Sequence, residues 1–149
     1  MNLLVNKTAR LNYHILDSYE AGIQLTGNEV KSLRSKNGSL KEAYVNINVN
    51  NEVFLRSAYI PAFQAQHSRY ETYEPTTERK LLLSKKEIEK IQRAIKRKGV
   101  TIVPLRIFAK KRFLKIEIAV AQGKKQHDKR QDLKDKAVSR DIAREIKNY

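Results

Sequence analysis

The residues best equipped for acid–base or metal chemistry do not assemble into a working set. Asp17 and Glu20 stand three apart at a strand end, Glu87 and Glu89 point to different sides of a helix, and neither pair has a metal-ligand spacing. Carboxylates placed like these ordinarily stay solvated and balance lysines. His14, His67 and His127 are too scattered to form a ligand set. Gly22, Gly27, Gly38, Gly99 and Gly123 stand singly, so no glycine-rich loop can cradle a phosphate. The absence of cysteine removes thiolate catalysis, disulfides and Cys-containing zinc sites, and fits a reducing cytosol. The expectation is a protein with no catalytic residues, no metal and no cofactor, and therefore not an enzyme. A nuclease is the rival reading, and it requires a metal-dependent cleavage for which no residue set exists.

Binding chemistry is far better represented. The 149 residues include 31 Lys or Arg against 16 Asp or Glu, a formal net charge of +15. Such a surplus repels itself, and a polyanion is the usual compensation: nucleic acid first, an anionic membrane surface second. From Arg79 to Lys98, nine cations (Arg79, Lys80, Lys85, Lys86, Lys90, Arg93, Lys96, Arg97, Lys98) face only Glu87 and Glu89. A charge run is commonly just a solvated face, but solvated faces mix signs and this one barely does, which favours phosphate contact. A second run, Gly123-Lys124-Lys125-Gln126-His127-Asp128-Lys129-Arg130, combines cations with an imidazole able to stack on an unpaired base. Asp128 and Asp132 ahead of later cations would equally suit a helix dipole, so physics leaves both readings open there. The longest apolar run, Ile118 to Ala121, is far short of the roughly 20 residues of a membrane helix. Leu3, Leu4 and Val5 are too few for a signal-peptide core, so a cytoplasmic location is expected.

These residues must be positioned by a small domain. Alternation at Tyr13, Ile15, Ile23 and Leu25, interrupted by Glu20-Ala21-Gly22, predicts two antiparallel strands. Thr26 and Glu29 have capping-box spacing, predicting a helix to about Lys36 that buries Val30 and Leu33 and leaves Lys31, Arg34 and Lys36 in solvent. Asn50-Asn51 between two apolar-polar runs predicts a hairpin, and Ala58 to Thr77 a long loop partly packed on the domain. Ser84 and Glu87 repeat the capping box ahead of Ile88, Ile91 and Ile95, predicting a helix over 85–98 stopped by Gly99. Val100 to Phe108 and Phe113 to Val120 predict a closing hairpin with the basic tip Lys110-Lys111-Arg112. The expected fold is mainly β with helices: a small closed antiparallel OB-like barrel over 1–122, flanked by two or three short helices. Residues 123–149 form a basic tail in which Leu133, Ala137, Ile142 and Ile146 line one side of a helix that needs a partner surface to become stable.

Five segments, in order, carry a resemblance. Glu20-Ala21-Gly22-Ile23-Gln24-Leu25, Gly27-Asn28-Glu29-Val30-Lys31-Ser32-Leu33-Arg34, Arg79-Lys80-Leu81-Leu82-Leu83, Lys98-Gly99-Val100-Thr101-Ile102-Val103-Pro104-Leu105 and the Gly123 to Arg130 run together resemble the small protein B family. These are the tmRNA-binding (SsrA-binding) proteins of bacterial trans-translation. The resemblance implies a non-enzymatic adaptor whose OB-like barrel holds the tRNA-like domain of tmRNA at its elbow and brings it to the A site of stalled ribosomes. It implies RNA-binding positions at Glu20, Leu82 and Lys115, with Asn6, Lys7, Arg10 and Tyr13 in the entry segment and Lys31, Arg34, Arg79 and Lys80 nearby. Glu20 would accept from base amino groups or orient a cation such as Arg34 or Lys31; as simpler roles, Glu20 caps a turn, Leu82 is core and Lys115 is a surface lysine.

For the tail the resemblance implies a segment that is disordered when free and becomes helical in an empty message channel beyond the decoding centre of the small subunit, replacing the missing codon–anticodon pair. His127 would stack on a decoding-centre base. Gly123, Lys124, Lys125, Asp128, Lys129, Arg130, Lys134, Lys136, Arg140, Arg144 and Lys147 would meet 16S ribosomal RNA, and Ile142 and Ile146 would steer tmRNA placement. The implied partners are tmRNA, the ribosome and elongation factor Tu with alanyl-tmRNA, with no membrane and a monomeric chain. A general ribosome-associated basic RNA-binding protein is the alternative with the same composition. Two departures from the family pattern stand out: Glu74-Pro75-Thr76-Thr77-Glu78-Arg79 has one arginine fewer and a glutamate more, and Ala137-Val138 replaces an acidic residue and a tryptophan.

Overall fold

The computed structural model describes residues 1–63, 73–124, 130, 133 and 134. Seven strands and three helices follow in the order β1 (Asn2–Val5), α1 (Ala9–Asn12), β2 (Tyr13–Ile23), α2 (Gly27–Arg34), β3 (Tyr44–Ile47), β4 (Val53–Arg56), β5 (Arg79–Leu82), α3 (Lys85–Ala94), β6 (Val100–Lys110) and β7 (Phe113–Gly123). All pairings are antiparallel, in the order β1-β6-β3-β4-β5-β2-β7, and β7 returns to β6. The sheet is thereby a closed ring, as expected of an OB-like barrel. Closure relies on β6, whose one edge carries β7 while the other is shared by β3 at Ile102 and β1 at Arg106 to Phe108.

Alternation along the strands sends Ala21, Leu81, Ile107, Ile116, Ile118 and Val120 into one core, which also receives Leu33 from α2 and Ile91 from α3. Helices α2 and α3 each start with a closed capping box, Thr26 with Glu29 and Ser84 with Glu87, because hydroxyl and carboxylate each satisfy an otherwise orphaned backbone amide. The β3–β4 and β6–β7 hairpins form where the sequence places them, the second turning at Lys111 in the left-handed region.

Two expectations are corrected, and two elements without a sequence signal are added. The proposed hairpin between Tyr13 and Leu25 is one 11-residue strand, paired with β7 from Tyr13 to Gly22. Its alternation breaks at a bulge between Ile15 and Asp17, and Gly22 serves close packing instead of a turn: a Cβ there would lie 3.2 Å from that of Leu82. Helix α3 ends at Ala94 instead of Lys98, after which Arg97 and Val100 amides close a tight turn around Gly99, at φ +79°. Strand β1 and helix α1 carry too few residues for a periodic signal, yet Leu3, Leu4 and Ala9 are buried. Of the Ala58 to Thr77 loop, the described parts do pack on the barrel, with Ala58 and Ile60 buried.

A candidate nucleic-acid interface

Strand register decides which side chains meet. Gly22 of β2 pairs with Leu82 of β5 on one side and Lys115 of β7 on the other, so these three form a row across three strands. Paired residues in a sheet share a face, and Ala21, Leu81 and Ile116 occupy the opposite, inward one. One step along, Glu20 pairs with Glu117, which pairs with Arg106 of β6. Glu20, Leu82 and Lys115, far apart in sequence, therefore share one outward patch. Gly22 is what lets it be flat, because Leu82 lies directly against its missing side chain.

The alternative roles now separate. Leu82 is 49 % exposed, so it is not core. Glu20 lies mid-strand and caps no turn; its Oε2 accepts from Lys110 Nζ at 3.1 Å, so the cation seated on it is Lys110, and not Lys31 or Arg34. Arg34 donates instead to the Arg112 carbonyl at 3.3 Å, which brings the end of α2 against the basic β6–β7 tip. Lys31 is exposed on the same helix, and Lys111 and Arg112 are exposed at the tip. Lys80 is half-buried and paired with Glu52, whose carboxyl is held below its ordinary value by Asn48 hydrogen bonding and then by Lys80.

Arg79 does not belong to this surface. It is 3 % exposed, with Nε donating to Glu29 Oε2 at 2.6 Å, Nη1 to the Ala58 carbonyl at 2.7 Å and Nη2 to the Pro75 carbonyl at 3.0 Å. The expectation that it contacts RNA is replaced by a supporting role: it ties β5, α2 and the described flanks of the long loop together. Tyr73, half-buried beside it, has its hydroxyl pKa raised by burial and then by the charge of Glu29. The added Glu78 of the departing loop motif pairs with Arg56 at 2.8 Å, and Thr77 is exposed.

The entry segment runs from the edge of β6 to the first residue of β2. Asn6 spends both its backbone and side-chain amides on the Leu105 and Pro104 carbonyls, and Tyr13 packs on a small cluster of Ala9, Val103, Leu105, Ala119 and Ala121. Lys7 and Arg10 are exposed. The chain leaves the barrel beside them: Gly123 is the last residue of β7 and not the first of a tail, and the Lys124 amide donates to the Asn12 carbonyl. Arg130 and Lys134 are exposed; Lys125, His127, Asp128, Lys129, Lys136, Arg140, Ile142, Arg144, Ile146 and Lys147, like His67, lie outside the described residues.

A second cationic region lies on α3. Lys85, Lys86, Lys90 and Arg93 on the helix are exposed, as its isoleucine stripe requires, and so are Lys96, Arg97 and Lys98 in the turn that follows it. Lys90, Arg93 and Arg97 line a groove of about 450 Å³ with Leu16, Asp17 and Tyr19. The Tyr19 hydroxyl donates to Asp17, and burial first, then that bond and the charges of Asp17 and Glu87, raise its pKa. Among the described residues no group of three His, Asp or Glu is placed to hold a metal, and no helix is long and apolar enough to cross a membrane.

Sequence reasoning missed Lys110 as the partner of Glu20, and missed Arg106 and Phe108 altogether. The available signal was their i, i+2 spacing in a predicted strand, which places both on one face.

Comparison with known proteins bears on the family and the fold. The family model described as SmpB protein matches residues 3–148. An SsrA-binding protein of Parvibaculum lavamentivorans is 52% identical over 141 residues, 93% of this chain and 84% of that protein. One from Aquifex aeolicus is 45% identical over 95% of this chain and 89% of its own, and one from Lactiplantibacillus plantarum 44% identical over 99% and 92%. A chain in a solved structure described as "tmRNA-SmpB: a journey to the center of the bacterial ribosome" superposes with a TM-score of 0.70 at 34% identity, covering 89% of this chain and 95% of that one.

Proposed function

This chain belongs to the SmpB protein family, and we propose that it binds tmRNA through the tRNA-like domain and delivers it to the A site of stalled ribosomes in trans-translation. The observation that carries the reading is the single outward patch of Glu20, Leu82 and Lys115, bordered by Lys110, Lys111, Arg112 and Arg34. A carboxylate among cations suits base amino groups flanked by phosphates; cations alone would suit any polyanion. Lys31, Lys80, Lys7 and Arg10 extend the phosphate contacts, and Asn6 and Tyr13 hold the entry segment. The role is binding, with no bond made or broken.

The segment beyond Lys124 performs the second half. Its cations meet 16S ribosomal RNA in the vacant message channel, His127 stacks in the decoding centre, and Ile142 and Ile146 guide tmRNA into place. Elongation factor Tu with alanyl-tmRNA completes the delivered complex, which contains one copy of this chain. An occupied channel excludes the tail and an empty one accepts it, so the segment acts as a gauge of message length.

Competition between the tRNA-like domain of tmRNA and an unrelated hairpin, across a salt series, tests the recognition. Preference that persists as salt rises is the expected result; equal affinity with one shared salt slope would reduce the protein to a general basic RNA binder. Removing residues 125–149, beyond the last strand, should leave that preference largely intact while abolishing rescue of stalled ribosomes in a reconstituted translation assay. Parallel loss of both would defeat the division of labour between barrel and tail.

A further inference from the structure

Next to the Glu20 patch, Arg106 is held in an unusual way. Its guanidinium carbon lies 4.2 Å from the centroid of the Phe108 ring, and Phe108 is only 5 % exposed although its pairing with Lys115 puts it on the outward face. In the guanidinium edge, Nε donates to Glu117 at 3.4 Å and Nη1 to Asn2 Oδ1 at 2.7 Å. Three strands thus fix one arginine: β6 supplies it and its floor, β7 and β1 supply its edge partners. The side chain nevertheless keeps 33 % exposure.

Its surroundings argue against a phosphate ligand. Glu117 sits directly opposite Glu20 on the neighbouring strand, a like-charge pair that would be destabilising without Arg106 on one side and Lys110 on the other. Two carboxylates beside the guanidinium repel a phosphate and suit the amino and imino donors of a base edge. With Phe108 beneath, and Nε and Nη1 each bonded to a neighbouring strand, Arg106 offers a ligand its outer planar face together with the N–H groups left on its far edge. Arginine planes and aromatic rings are the platforms on which unpaired bases stack.

We infer that Arg106, supported on Phe108, is a stacking platform for an unpaired base of the bound RNA, with Glu117 and Glu20 turned toward base edges and Lys115 and the β6–β7 tip toward phosphates. The inference rests on the RNA-binding reading above and adds a residue that decides which part of the nucleotide faces this strip.

Arg106→Lys keeps the charge and removes the plane, so it is the deciding variant. It should weaken binding to the tRNA-like domain by about 5- to 20-fold with an unchanged salt slope. Phe108→Leu, which removes the floor but no charge, should weaken it similarly, provided its unfolding midpoint shows an intact barrel; if it does not fold, Arg106→Lys decides alone. Single abasic substitutions at the unpaired positions of the RNA then locate the base: at one position the wild type should lose the same factor and Arg106→Lys should lose nothing more. Arg106→Lys binding within twofold of wild type, or additive losses at every abasic position, would overturn the platform. A wild type with no preference for the tRNA-like domain over single-stranded RNA of equal length would instead count against the tmRNA reading, while the Arg106→Lys ratio on that single strand would still test stacking.

Discussion

The outward patch on β5, β2, β7 and β6 and the exposed side of α3 are both rich in cations, yet they are organised differently. On the sheet, Lys110 is set on Glu20, Arg106 on Glu117 and Phe108, and Arg34 on the tip carbonyl of Arg112. Among the described cations of α3, only the Arg93 side chain makes a hydrogen bond to a described residue, donating to the Glu89 carbonyl one turn back. The sheet patch holds charges of both signs in positions set by strand register, whereas α3 presents cations on flexible stems with only Glu87 and Glu89 among them. Fixed donors and acceptors discriminate among ligands; a mobile row of like charges chiefly adds affinity for any polyanion.

The largest effect should come from beneath the patch. Arg79→Met leaves the Glu29 carboxylate buried without its cation, and should cost about 3–5 kcal/mol in denaturant unfolding. A cost near that of a surface ion pair, below about 1 kcal/mol, would show that the β5 edge does not depend on this anchor. Within the patch, Leu82→Ala and Lys115→Gln should each weaken binding of the tRNA-like domain by about 1–2 kcal/mol, and Leu82→Ala should do so with no change in salt slope. Equal weakening toward an unrelated hairpin would erase the distinction between the two regions. The smallest effect on selectivity should follow Lys90→Gln and Arg93→Gln on α3 combined with Arg97→Gln in the turn after it. Binding to every RNA should fall together and the salt slope should drop by about 2, measured by the same titrations. Selective loss for the tRNA-like domain would instead make the groove beside Leu16 and Tyr19 a reading site.

How far the molecule was legible follows the range of each interaction. Both capping boxes and the β3–β4 and β6–β7 hairpins depend on residues a few positions apart, and all are where the spacing puts them. Arg79 was misplaced because its partner Glu29 is 50 residues away, and a run of cations is indistinguishable in sequence from one with a single member turned inward. Gly22 was misread because a glycine in a turn and a glycine under a neighbouring side chain look alike until Leu82 is seen against it. The extra residue at the β2 bulge broke the alternation that would have revealed one long strand.

By itself, then, the order of residues determined α2, α3, the two local hairpins, the basic surface and the family, since propensity, capping, charge and motif are properties of local sequence. Only the closed barrel decided that Glu20, Leu82 and Lys115 share a face, that Lys110 and not Lys31 or Arg34 attends the carboxylate, and that Arg106 lies over Phe108. Those are consequences of register between strands distant in the chain, where a shift of one residue would turn every one of these side chains to the other side of the sheet.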